Sequence, residues 1–102
     1  MPSYPFERMA FECPDDKKFK VIENLKEKLR KEFDNVNTID GVRVDFSSGW
    51  VLMRVSNTAP LIRLTTEGDT KEDFEKLQNK FIALLEDEIK KFGIAIERKR
   101  YN

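Results

Sequence analysis

VRVDFSSGWVLMRVSNTAPLIRLTT, residues 42–66, is where the chain changes its period. Before it, apolar residues recur every three or four positions. Within it they recur every two. Val42, Val44 and Phe46 fall on one face of a strand, and Arg43 and Asp45 on the other. Ser47, Ser48 and Gly49 form a turn. WVLMR, 50–54, is apolar almost throughout, as an inner strand covered by a helix requires. LIRLTT, 61–66, is a third strand. The loop between the second and third strands lies in RVSNTAPLIR, 54–63, the least generic stretch of the chain.

Helical patterns flank this segment. FERMAFEC, 6–13, alternates imperfectly and reads as a strand that Pro14 and Asp15 stop. Asp15 and Asp16 are candidate caps for a helix running from about 16 to 33. Its apolar stripe is Phe19, Ile22, Leu25, Leu29 and Phe33. The lysines between these positions alternate with glutamates and read as a solvated face. DNVN, 34–37, breaks the helix. Thr70 caps a second helix, with Asp73 as the reciprocal member of a capping box. That helix carries Phe74, Leu77, Phe81, Leu84, Leu85 and Phe92 and stops at Gly93. The end, IAIERKRYN, begins as a short edge strand and frays over 99–102.

Residues 1–5, with Pro2 and Pro5, read as the remnant of a linker, and 6–98 as one domain. The order β-α-β-β-β-α, with a closing β, predicts an α+β fold. It is a mostly antiparallel four-stranded sheet with both helices packed on one face.

At 102 residues and 12.0 kDa the chain accommodates a single core. Nineteen Lys and Arg balance nineteen Asp and Glu, which argues against a broad nucleic-acid surface. Cys13 is the one cysteine, so no intrachain disulfide forms; it reads as a small buried hydrophobe near a strand end. With no histidine, the commonest zinc ligand and the easiest general base near neutral pH are missing. No stretch has the roughly 18 apolar residues of a membrane helix. MPSYPFERMAF lacks the basic start and apolar core of a signal peptide. The expected location is cytoplasmic, with no membrane and no nucleic-acid partner.

Arg54 shares a strand face with Trp50 and Leu52, and Arg63 shares one with Leu61 and Thr65. In an antiparallel hairpin both arginines stand at the loop end and can converge on one anion. Guanidinium forks match phosphate oxygens bidentately. Ser56 and Thr58 add hydroxyls, Asn57 an amide, and loop N–H groups further donors. Pro60 holds Ala59 extended. Yet Ser, Asn, Thr and Pro are also ordinary loop residues, and composition and spacing alone favour a plain surface loop. There is no Walker-type loop, no GxGxxG and no calcium-loop spacing. No catalytic residue and no metal ligand is assigned.

The longer run DGVRVDFSSGWVLMRVSNTAPLIRLTTEG, 40–68, resembles the C-terminal domain of the alpha-D-phosphohexomutases, the family of phosphomannomutase and phosphoglucomutase. The matching positions are Asp40, Gly41, Gly49, Trp50, Arg54, Ser56, Asn57, Thr58, Pro60, Arg63 and Glu67. The resemblance implies a TATA-box-binding-protein-like fold and the last of four domains, one that closes over a cleft and holds the phosphate of a hexose phosphate. It implies Arg54, Ser56, Asn57 and Thr58 as phosphate ligands, with Arg63 and Pro60 in support. The phosphoserine, the Mg2+ site and the sugar-selecting loop would lie in the other three domains. The family usually has glutamate where Ala59 stands, and often proline or serine where Val55 stands. The isolated domain is then expected to bind but not to catalyse the exchange of hexose 1-phosphate and hexose 6-phosphate. Two other readings remain: a standalone module for a phosphorylated ligand or protein, and a structural α+β domain without an anion site.

Overall fold

A computed structural model describes residues 4–101, with the side chains of 100 and 101 left aside. The expected linker remnant therefore falls outside the described residues over 1–3, as does position 102 of the expected tail. The chain runs β1 (Phe6–Glu12), α1 (Asp15–Glu32), β2 (Val36–Asn37), β3 (Val42–Phe46), β4 (Gly49–Val55), β5 (Leu61–Gly68), α2 (Lys71–Lys90) and β6 (Arg98–Tyr101). The fold is α+β, as the periodicity predicts. The sheet has six strands rather than four, in the order β2-β3-β4-β5-β1-β6, and every neighbouring pair is antiparallel.

The two added strands occupy the edges, where backbone pairing needs no apolar alternation. Val36 and Asn37, inside the expected helix break, pair with Val44 and Arg43. At the other edge Arg98–Tyr101 pairs with β1, so the strand starts later than expected and runs through most of the expected frayed tail. Ile94 and Ile96, where the edge strand was expected to begin, lie in an irregular stretch and pack against the core.

Period-two alternation assigns the two sheet faces. Met9, Phe11, Val42, Val44, Val51, Met53, Ile62 and Leu64 all point to the helix side and are buried. The other face carries Phe6, Arg8, Trp50, Leu52, Arg54, Arg63 and Thr65, in register across β4, β5 and β1. On the helix side Phe33, Phe46 and Phe81 form an aromatic cluster, with the Phe33 and Phe46 rings 5.2 Å apart and edge-on.

Helix α1 departs from its expected stripe at its first turn. Phe19 is 55% exposed, whereas Lys18 is only 4% exposed. The buried line is Lys18, Val21, Ile22, Leu25 and Leu29. Both 18 and 19 fit the spacing from Ile22. The choice depends on what the helix start lies against, and there it meets backbone carbonyls rather than apolar side chains. The expected aspartate cap does not form: Pro14 takes the cap position and no side chain bonds there, while Asp15 and Asp16 lie in the first turn. In α2 the Thr70 hydroxyl accepts from the Asp73 N–H at 3.1 Å, as the capping pattern predicts. The helix yields after Lys90, and Gly93 closes the turn at φ +75°.

Candidate functional site

Residues 56–60 join β4 to β5 at one end of the sheet. The Ser56 N–H donates to the Leu61 carbonyl at 3.0 Å, and the Cys13 N–H donates to the Pro60 carbonyl at 2.9 Å. The loop is thereby sewn to its own hairpin and to the end of β1. Ser56 is 3% exposed, and its hydroxyl oxygen accepts from the N–H groups of Thr58 at 3.3 Å and Ala59 at 3.2 Å. These bonds make Ser56 the hub of the loop. Its own proton remains available, 3.5 Å from the Thr58 hydroxyl. Asn57 and Thr58 are exposed at the tip.

Beneath the loop lies the ammonium of Lys18. It donates to the Ser56 carbonyl at 2.6 Å and the Ala59 carbonyl at 3.1 Å, and pairs with Asp15 at 2.7 Å. The Phe19 ring lies 5.4 Å from the same nitrogen. A trans peptide holds its C=O and N–H antiparallel, and the chain has no cis bond among the described residues. With the Ser56 carbonyl turned inward to Lys18, the Asn57 N–H points outward. It makes no hydrogen bond among the described residues.

Arg54 and Arg63 are direct cross-strand partners, so their side chains rise from neighbouring points on the open face. Like charges in this relation are unfavourable in isolation. Part of the charge is offset by Asp40, whose carboxylate lies 3.5 Å from the Arg54 guanidinium. Asp40 is carried there by the turn at Gly41. Gly41 has φ +81°, and a Cβ on it would collide with the Met53 carbonyl oxygen and sit 2.8 Å from Arg54 Cβ. Only glycine lets this turn lie flat on the backbone of Arg54.

Arg54 borders two depressions. One, of about 160 Å³, also touches Asn57, Asp40 and Lys26. The other, of about 380 Å³, runs along the open sheet face over Arg8, Trp50, Leu52, Arg63 and Thr65. Trp50 is held on that face by its indole N–H, which donates to Glu67 at 3.0 Å, and by the Arg43 guanidinium 4.3 Å from its ring. Cys13, as expected, is a buried thiol at the end of β1. Burial raises its pKa, the Asp16 charge adds to this, and Lys18 opposes it. No cluster of three or more metal-ligating side chains forms among the described residues.

Of the residues singled out from the sequence, Arg54 and Arg63 stand side by side, and Asn57 and Thr58 are presented at the tip. Ser56 faces inward as scaffold, and Pro60 fixes the loop exit through its carbonyl. Sequence reasoning missed Lys18, Asp15 and the partnership of Asp40 with Arg54. The signal for Lys18 was its place four residues before Ile22, on the buried line of α1.

Residues 9–84 match the family described as phosphoglucomutase/phosphomannomutase, C-terminal domain. A probable phosphoglucosamine mutase of Methanopyrus kandleri is 42% identical over 85 residues, covering 83% of this chain and 19% of the relative. A phosphomannomutase/phosphoglucomutase of Pseudomonas aeruginosa is 43% identical over 67 residues, 66% of this chain and 14% of the relative. The crystal structure of a phosphoglucomutase/phosphomannomutase family protein from Burkholderia thailandensis superposes with a TM-score of 0.66 at 29% identity, over 93% of this chain and 19% of that one. The chain thus spans about a fifth of the length of the curated probable phosphoglucosamine mutases that it matches.

Proposed function

Since the chain belongs to the phosphoglucomutase/phosphomannomutase C-terminal domain family, we propose that it grips the phosphate of a hexose phosphate while other domains of a longer protein carry out phosphoryl transfer. One observation carries this reading. The outward Asn57 N–H and the Thr58 hydroxyl stand at the end of the strand whose Arg54 faces Arg63. Arg54 would supply a bidentate fork, and Asn57 and Thr58 single donors to the remaining oxygens. Ser56 would act mainly from behind, by holding the Thr58 and Ala59 amides. An anion between the two arginines would be attracted by both guanidinium groups.

Held by its non-reacting phosphate, the sugar is oriented toward groups on the other three domains, and that binding energy becomes available to the transfer step. Those domains would also supply the phosphoserine and hold the Mg2+, whose positive charge stabilises the transferring phosphoryl group. The described residues of this chain gather no carboxylate cluster for that ion. On this reading the 102-residue chain alone binds the phosphate without turning the sugar over.

Titration of the 15N-labelled chain with glucose 6-phosphate tests the reading. Saturable shifts are expected at Asn57, Thr58 and the Arg54 guanidinium. Arg54→Ala should weaken binding by about 10–100-fold, the loss of charge-assisted bonds of about 1.5–3 kcal/mol. Shifts elsewhere only, or an unchanged Kd in Arg54→Ala, would refute it.

A further inference from the structure

We propose that Lys18 is a positioning residue of the anion loop: it sets the orientation of the Ser56–Asn57 peptide and thereby presents the Asn57 N–H to the ligand. This rests on the reading of the loop as a phosphate site and deepens it. An ammonium has three donors and no acceptor. Here the three acceptors within reach are the Ser56 carbonyl at 2.6 Å, the Ala59 carbonyl at 3.1 Å and the Asp15 carboxylate at 2.7 Å. With its donors committed, Lys18 has none left for a ligand and acts through the loop.

Its side chain is 5% exposed, whereas Asp15 is 72% exposed. A buried ammonium is costly unless hydrogen-bonded and paired. Lys18 meets that cost only while the loop keeps its two carbonyls turned inward. Were the Ser56 carbonyl to flip outward, the ammonium would lose its shortest bond and the Asn57 N–H would turn into the protein. The same contact places the ammonium, its charge partly offset by Asp15, on the far side of the peptide from the donor group.

The test uses the 15N,13C-labelled 102-residue chain, Lys18→Met, and two probes, inorganic phosphate and glucose 6-phosphate. In the unsubstituted chain the Lys18 ammonium should exchange slowly with water and show couplings across hydrogen bonds to the Ser56 and Ala59 carbonyl carbons. In Lys18→Met the Asn57 amide should move and lose its ligand response. Affinity for glucose 6-phosphate should fall about tenfold, the scale of one charge-assisted bond, with the Trp50 indole and core methyl signals unmoved. Unaltered affinity in a folded Lys18→Met overturns the proposal while leaving the phosphate site intact. A fast-exchanging Lys18 ammonium without those couplings overturns it too, and this decides the matter if Lys18→Met does not fold. If the unsubstituted chain binds neither probe, the phosphate reading fails instead, and the couplings still report whether Lys18 fixes the peptide.

Discussion

Gly41→Ala separates a backbone effect from a packing effect at the turn that seats Arg54, because Gly93 provides an internal control. Both glycines are left-handed, at φ +81° and +75°. An alanine in that conformation costs about 1–2 kcal/mol. Around Gly93 nothing lies within 4 Å of an added Cβ, so Gly93→Ala should lose that backbone amount alone. At Gly41 the added Cβ collides with the Met53 carbonyl oxygen and stands 3.0 Å from Arg54 Cα. These are backbone atoms of an inner strand and cannot swing aside as a side-chain end could. Overpacking of this kind adds about 1–3 kcal/mol. Gly41→Ala should therefore lose about 2–5 kcal/mol in all, within the ordinary stability of about 5–15 kcal/mol. The two variants should differ in Tm by at least about 4 °C. Urea denaturation followed through the single tryptophan, Trp50, measures both. Because the strand carrying Arg54 must shift, Gly41→Ala should also weaken glucose 6-phosphate binding, while Gly93→Ala should not. Equal losses of stability in the two variants would refute the packing argument. Undiminished binding in Gly41→Ala would refute the link between this turn and Arg54.

Thr70→Ala removes the acceptor of the Asp73 N–H. It should cost about 1 kcal/mol in urea denaturation, with Thr70→Ser close to the parent and loop binding unaffected in both. Cys13 gives the chain an alkaline sensitivity. Its thiol is held above the ordinary value chiefly by burial and next by Asp16. The folded state keeps the proton to higher pH than the unfolded one, so this contribution is present below the unfolded thiol value and is lost as pH rises from about 8.5. Stability should fall over that range, and less steeply in Cys13→Ala; parallel pH profiles would count against it.

The resemblance at 40–68 is matched by the family to which the chain belongs, and the α+β class and the two-sided sheet were legible from periodicity. Alternation at Val42, Val44, Ile62 and Leu64 assigns a face wherever one side is buried, because a one-residue slip would expose every apolar side chain. β2 and β6 were not legible in the same way: two residues carry no period, and RKRY pairs through its backbone at an edge.

The loop divides along the same line. Its residue types, Ser56, Asn57 and Thr58 between two arginines, show that donors are available, though the same residues are ordinary in loops. Composition says nothing of direction. Ser56 turns inward because two neighbouring amides need an acceptor, and Asn57 N–H turns outward because Lys18 holds the carbonyl on the other side of its peptide. Lys18 comes from a helix 38 residues away in sequence. The apolar period placed Phe19 on the buried stripe and the lysines on the solvated face, and only the packing of α1 against the loop buried Lys18 in its stead.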